Sequence, residues 1–204
     1  MAGADRLSAA RQALAAAEDA ASAYGLAPGR PGAPGTGVGD ADGEPDPQAV
    51  ARKIVLRQLA MGPRTRSQLA DKLRDKGCDP QVASRVLDRM SEVGLVDDEA
   101  YAEMYVRSKQ ETKGLAAGAL RQELRKKGVA DEVVDSALED IDPEHEKEQA
   151  RALTERRLRT MRGLDREVQT RRLAGFLARK GYSSGVSYQV IQEALSDLPE
   201  NHRD

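Results

Sequence analysis

Aromatic side chains are almost missing from this sequence: there is no tryptophan, one phenylalanine (Phe176) and five tyrosines among 204 residues. A single large core anchored by aromatic rings is therefore not expected. Small local cores of Leu, Val, Ile and Ala fit better, and repeat proteins bury such surface between neighbouring units. Cysteine is scarcer still. Cys78 stands alone and cannot form an intrachain disulfide, so the fold does not depend on an oxidising compartment. No run of about 18 apolar residues occurs, which argues against a membrane-spanning helix. The N-terminus lacks the basic stretch followed by an apolar run that marks a secretory signal. Together these absences predict a cytoplasmic protein with no membrane partner.

Catalytic signatures are also wanting. His145 and His202 lie far apart, with no Cys or His neighbour at metal-ligand spacing. No glycine-rich phosphate loop follows a strand pattern. The Asp97-Asp98 pair reads as a helix cap at the positive end of a helix dipole rather than as a metal site. The expectation is a protein that binds rather than catalyses, with no cofactor and no metal.

What is present is charge, and it is unevenly spread. The first fifty residues hold three basic side chains against seven acidic ones. Residues 151–180 reverse the balance, with ten basic residues against Glu155, Asp165 and Glu167. Such a block suits a polyanion or an acidic protein surface, although a solvated helix of mixed charge is the plainer alternative.

Residues 5–24 contain strong helix formers but few large apolar side chains to pack. Gly and Pro run through 25–47, and this stretch cannot bury enough surface to offset its ordering entropy. Residues 1–47 are accordingly expected to form a disordered extension, with folded structure starting near Gln48. From there the apolar spacing is helical. Val50 and Ile54, then Val55 and Leu59, step by four along a first helix that stops at Gly62-Pro63. Thr65 with Gln68 forms a capping-box pattern that opens a second helix carrying Leu69 and Leu73. Gly77 supplies its left-handed end. Asp79-Pro80 opens a third helix, with a stripe of Val82, Val86, Leu87 and Met90 ending at Gly94.

The pattern then recurs twice. Leu69, Leu73, Lys76 and Gly77 match Leu120, Leu124, Lys127 and Gly128, and again Leu173, Leu177, Lys180 and Gly181. Five residues after each glycine stands Val82, Val133 or Val186, and ten after it Leu87, Leu138 or Ile191. Asp97-Asp98 and Asp142-Pro143 open the leading helices of the later units. The position two residues after each glycine is Asp79, Ala130 or Ser183; Ala130 is a poor cap, so that helix is expected to start at Asp131. Cys78 shares its slot with Val129 and Tyr182, which makes it an apolar plug rather than a nucleophile. A period of about fifty residues marks a helical array of stacked units. The fold class predicted is all-α: three tandem three-helix repeats over 48–96, 97–142 and 143–198, elongated and curved, with a flexible tail over 199–204.

The middle helix of each unit is basic. Lys76, Lys127 and Lys180 complement the negative end of the helix dipole and need no other explanation. Arg64, Arg66, Arg121, Arg171 and Arg172 lie near helix starts, where a positive charge is mildly unfavourable, and are candidates to face a partner. Arg125, Lys126 and Arg179 extend the same basic surfaces.

The segment from Arg64 to Val129, with its Arg64-Thr65-Arg66-Ser67-Gln68-Leu69 helix start, Lys-Gly turn, Gly94-Leu95-Val96-Asp97-Asp98 junction and Tyr101-Ala102, resembles the RecX family of regulatory proteins. The likeness covers about residues 49–197. It implies a modulator, mainly an inhibitor, of the RecA recombinase that binds the RecA–DNA filament and restrains its strand exchange, ATPase and coprotease activities in DNA repair and the SOS response. Under this reading Arg64, Arg66, Arg121, Arg125, Lys126, Arg171, Arg172 and Arg179 contact RecA or DNA. The protein acts as a monomer, with weak direct contact to single- or double-stranded DNA. An autonomous helix-turn-helix DNA-binding protein is the alternative, although the mixed charges of the first two units argue against it. A purely structural adaptor is a third.

Overall fold

The computed structural model describes residues 46–196. The expected N-terminal extension and the tail over 199–204 lie outside the described residues, apart from Asp46 and Pro47. Nine α-helices and one short 3-10 turn make up the described part, and no strand occurs in it.

The first unit consists of α1 (Pro47–Ala60), α2 (Arg66–Asp75) and α3 (Pro80–Glu92). Helix α1 begins one residue before Gln48, because Asp46 caps it and Pro47 takes the first helical position. The same Asp-Pro device starts α3 at Asp79-Pro80. At α2 the capping box forms in full, with the Thr65 hydroxyl accepting from the Gln68 amide and the Gln68 side chain accepting from the Thr65 amide. Ala51, Val55, Leu69, Leu73, Val86, Leu87 and Met90 close the core of this unit, with Cys78 packed against it.

The second unit is α4 (Asp98–Lys113), α5 (Ala117–Lys126) and α6 (Asp131–Glu139). Asp97 caps α4 through the Ala100 amide. Helix α6 starts at Asp131, and Ala130 offers no side-chain cap. Leu120, Leu124, Val134 and Leu138 form the heart of its core, with Val129 filling the slot of Cys78.

The third unit is α7 (Pro143–Leu158), a 3-10 turn (Arg159–Met161), α8 (Arg166–Lys180) and α9 (Ser184–Ser196). Ser183 caps α9 by accepting from the Val186 amide. Leu173, Leu177, Val190, Ile191 and Leu195 are buried, and Tyr182 takes the plug position. Deleting one of the paired leucines would leave a cavity costing about 2–5 kcal/mol, so each local core depends on very few side chains.

The units meet through their middle helices, set end to end. The Thr65 hydroxyl donates to the Lys127 carbonyl at 2.6 Å, and the Ala116 amide donates to the Lys180 carbonyl at 2.9 Å. The carbonyl end of α5 thus abuts the amide end of α2, and α8 abuts α5 in the same way. Successive helix dipoles are aligned in the favourable sense. The leading helix of the following unit completes each junction with a carboxylate: Asp98 accepts from the Arg66 amide at 2.8 Å and Glu146 from the Ala117 amide at 3.0 Å. Backbones approach so closely here that side chains are excluded. A Cβ on Gly118 would lie 2.6 Å from the Gly181 carbonyl oxygen, and one on Gly128 would meet Ser67.

Candidate functional site

The basic residues singled out by the sequence fall into two groups with different electrostatic surroundings. In the first two units three of them are paired across the middle and third helices. Arg66 meets Asp88 at 2.6 Å, Arg125 meets Asp131 at 2.7 Å, and Arg121 pairs with Asp135. All three pairs are solvent-exposed, so each contributes only about 0.2–1 kcal/mol. They do, however, cancel local positive charge and hold each guanidinium group against a carboxylate. Arg64, just before the α2 cap, and the exposed Lys126 have no ion pair among the described residues.

The second group lies in the third unit. Arg171, Arg172 and Arg179 are exposed on α8 and have no ion pair among the described residues. Because α8 begins at Arg166, Arg171 and Arg172 sit well inside the helix rather than near its start, so the positive end of the helix dipole does not oppose their charge. Their significance lies in their company. They line one polar groove with Arg157, Thr160, Met161 and Gly175, between the end of α7 and the exposed side of α8. Spacing alone explains the wall: Arg171, Gly175 and Arg179 recur at four-residue intervals on one helical face. Gly175 keeps the floor open. Arg157 was not among the residues picked out from the sequence, although the run Arg156-Arg157-Leu158-Arg159 at the end of α7 is the signal that points to it.

The lysines of the Lys-Gly turns have structural tasks. The Lys127 ammonium lies 5.0 Å from the centre of the Tyr105 ring, beside Lys109 at 5.1 Å. Lys180 lies 5.8 Å from the Phe176 ring and donates to the Lys113 carbonyl across the junction between units. Burial holds the Lys180 ammonium below the usual lysine range, with Arg156 and Lys113 pushing in the same direction. Arg157 covers Phe176 at the same 5.8 Å. Burial lifts the Tyr182 phenol to about 12, helped by Glu146. The Tyr105 phenol is raised further by burial and by its hydrogen bond to Glu123.

Among the described residues no group of three or more His, Cys, Asp or Glu side chains is placed to hold a metal ion. His145 is exposed and bonds with Gln149, while His202 lies outside the described residues. Cys78 is half-buried against its core. No described helix is long and apolar enough to cross a membrane.

Three family models match in order along the chain: the first three-helix domain of RecX over residues 51–90, the second over 97–138 and the third over 144–191. Regulatory protein RecX of Streptomyces lividans is 49% identical over 161 residues, covering 78% of this chain and 86% of its own. The protein of that name from Thermobifida fusca is 47% identical over 169 residues, covering 83% and 89%. The crystal structure of RecX from Lactobacillus salivarius superposes with a TM-score of 0.67 at 25% identity, covering 73% of this chain and 97% of that one. Three successive domain matches, identity near one half over most of the length and a shared fold lead to one conclusion: the chain belongs to the RecX family.

Proposed function

We propose that this chain is a non-enzymatic regulator that binds the RecA–DNA filament and modulates, mainly by inhibition, its recombinase, ATPase and coprotease activities. The observation that carries this reading is the match of all three units, in order, to the domains of proteins named as RecX regulatory proteins. Three modules of similar construction suit a partner that is itself a repeating polymer, since several weak contacts to such a target add avidity without one strong site. Residues 48–96, 97–142 and 143–198 are the proposed modules. Arg64, Arg66, Arg121, Arg125, Lys126, Arg171, Arg172 and Arg179 are the proposed contacts to RecA or DNA, made by a cytoplasmic monomer.

The test is RecA-driven strand exchange with the purified full-length chain. Slowing well below equimolar ratio is expected, with no nuclease or ATPase activity from the chain itself. Unchanged RecA activity at equimolar protein in low salt would sink the proposal. Tight, sequence-selective duplex binding in the absence of RecA would favour an autonomous DNA-binding protein instead.

A further inference from the structure

In the first two units, the groove between the middle and third helices is clasped by charge. Arg66–Asp88, Arg121–Asp135 and Arg125–Asp131 all bridge it. At the same distances from the Lys-Gly turn, the third unit has Thr170, Ala174 and Ala178 for the arginines, and Gln192, Tyr188 and Ser184 for the carboxylates. Among the described residues no ion pair bridges these positions, and a single hydrogen bond from Arg166 to Gln192, at 3.2 Å, crosses at one end. What remains is an open, mostly apolar groove between α8 and α9, lined by Ala174, Ala178, Tyr188 and Ile191. Tyr188 is 68% exposed. Ser187, also in the lining, is 6% exposed, and its hydroxyl has no hydrogen-bond partner among the described residues.

The positive charge has moved to the neighbouring face of the same helix. Arg171 and Arg172 occupy the positions held by Ser67 and Gln68 in the first unit and by Gly118 and Ala119 in the second. There the small side chains admit the next unit, through Ser67 against Gly128 and through Gly118 and Ala119 against Gly181. In the third unit no described residue covers that face, and arginines stand on it. A merely solvated face would be served by charges of both signs. This groove gathers Arg157, Arg171, Arg172 and Arg179 with no carboxylate in its lining.

Helix α8 is therefore a shared wall, with a four-arginine groove on one side and an aromatic-edged apolar groove on the other. A single-stranded nucleic acid offers the matching chemistry: regularly spaced phosphates for guanidinium groups, and unstacked bases for an exposed ring. An acidic peptide would satisfy the arginines but leave the tyrosine face unexplained. We propose that the third unit carries a binding site for single-stranded nucleic acid, in which Arg157, Arg171, Arg172 and Arg179 hold phosphates and Tyr188 stacks on a base. The inference rests on the filament reading only for the choice of nucleic acid as the polyanion, and it assigns the DNA side of that complex to one unit.

Fluorescence anisotropy of a labelled oligothymidylate with the full-length chain, over a salt series and without RecA, tests the site. The Arg171→Ala/Arg172→Ala variant should bind on the order of tenfold more weakly at low salt, and its salt slope should fall by roughly 0.7 per arginine removed. Arg171→Lys/Arg172→Lys should keep most of the slope. Tyr188→Ala should weaken binding at least about fivefold, the lower end for loss of one stacked base, with little change in slope. Lys53→Ala/Arg57→Ala on α1 serves as the control for lost charge elsewhere, and circular dichroism confirms folding of each variant. Absence of binding by the native chain, or an unchanged slope in the arginine variant, overturns the phosphate site; full affinity in Tyr188→Ala overturns the stacking. Displacement of the oligonucleotide by poly-L-glutamate at matched charge shows an acidic protein ligand and overturns the nucleic-acid assignment. Strand exchange on the same preparations reports on the filament reading separately, because oligonucleotide binding without any effect on RecA removes that reading and leaves the site standing.

Discussion

The Thr65 hydroxyl donates to the Lys127 carbonyl at 2.6 Å while accepting from the Gln68 amide, so one side chain both caps a helix and joins two units. Thr65 is fully buried, while its partners Lys127 and Gln68 are half-buried. Thr65→Ala removes the cap, at about 0.5–2 kcal/mol, and takes a hydrogen bond from the half-buried Lys127 carbonyl, at about 0.5–1.5 kcal/mol. Urea unfolding should show the combined loss, and Thr65→Ser should recover much of it. Equal stability of the alanine and native proteins would contradict the double role.

Close backbone approach makes a second test. Gly118→Ala should destabilise by 2 kcal/mol or more, at the upper end of the range for overpacking, because its Cβ would strike the Gly181 carbonyl. Gly175→Ala is also helical but meets only the flexible end of Arg179 at 3.5 Å. That substitution should instead stabilise by about 0.5–1 kcal/mol through helix propensity. Thermal melts of the two variants should move in opposite directions.

Charge reversal separates the two groups of arginines. Arg171→Glu/Arg172→Glu should weaken co-sedimentation with RecA filaments more than Arg121→Glu/Arg125→Glu, because the latter pair is already engaged by Asp135 and Asp131. Equal retention of both variants on filaments would show that neither face makes the contact.

Alkaline stability follows from the buried phenols. Tyr182 titrates near 12 in the folded chain against about 10 unfolded, and Tyr105 is raised as well. A raised pKa gives stability that is complete below the unfolded value and lost as pH climbs through the folded one. Lys180, lowered by burial, works in the opposite sense and partly offsets the loss just below its ordinary pKa. Stability should therefore fall between about pH 10 and 12, and Tyr182→Phe should flatten that fall in denaturant midpoints taken across the range.

The helices were legible because their signals are local. Thr65-x-x-Gln68, Asp79-Pro80 and the three Lys-Gly turns each act within one turn of backbone, and the paired leucines set the buried face. Asp46-Pro47 carries the same signal as Asp79-Pro80, but its place at the end of a Gly/Pro-rich stretch masks it. The junctions were not legible. Asp98 reads as one half of an ordinary cap, and only the fold shows it accepting from Arg66 in the preceding unit. Pairing of arginines was equally hidden: Arg121 and Arg171 look alike in sequence, yet one faces Asp135 on a neighbouring helix and the other pairs with no carboxylate among the described residues. The replacement of Asp131 and Asp135 by Ser184 and Tyr188 was visible in the repeat register, and it became informative only once the clasps they formed were known.

The end-to-end junctions also set an order of events during synthesis. Thr65 waits for a carbonyl 62 residues further along the chain, and the Ala116 amide waits likewise for Lys180. At about 5–20 residues per second, the first gap lasts roughly 3–12 seconds. The first two units therefore leave the ribosome with the amide end of the middle helix unfinished and are completed by chain made after them. Nascent α2 and α5 should be the parts most dependent on translation running on without pause.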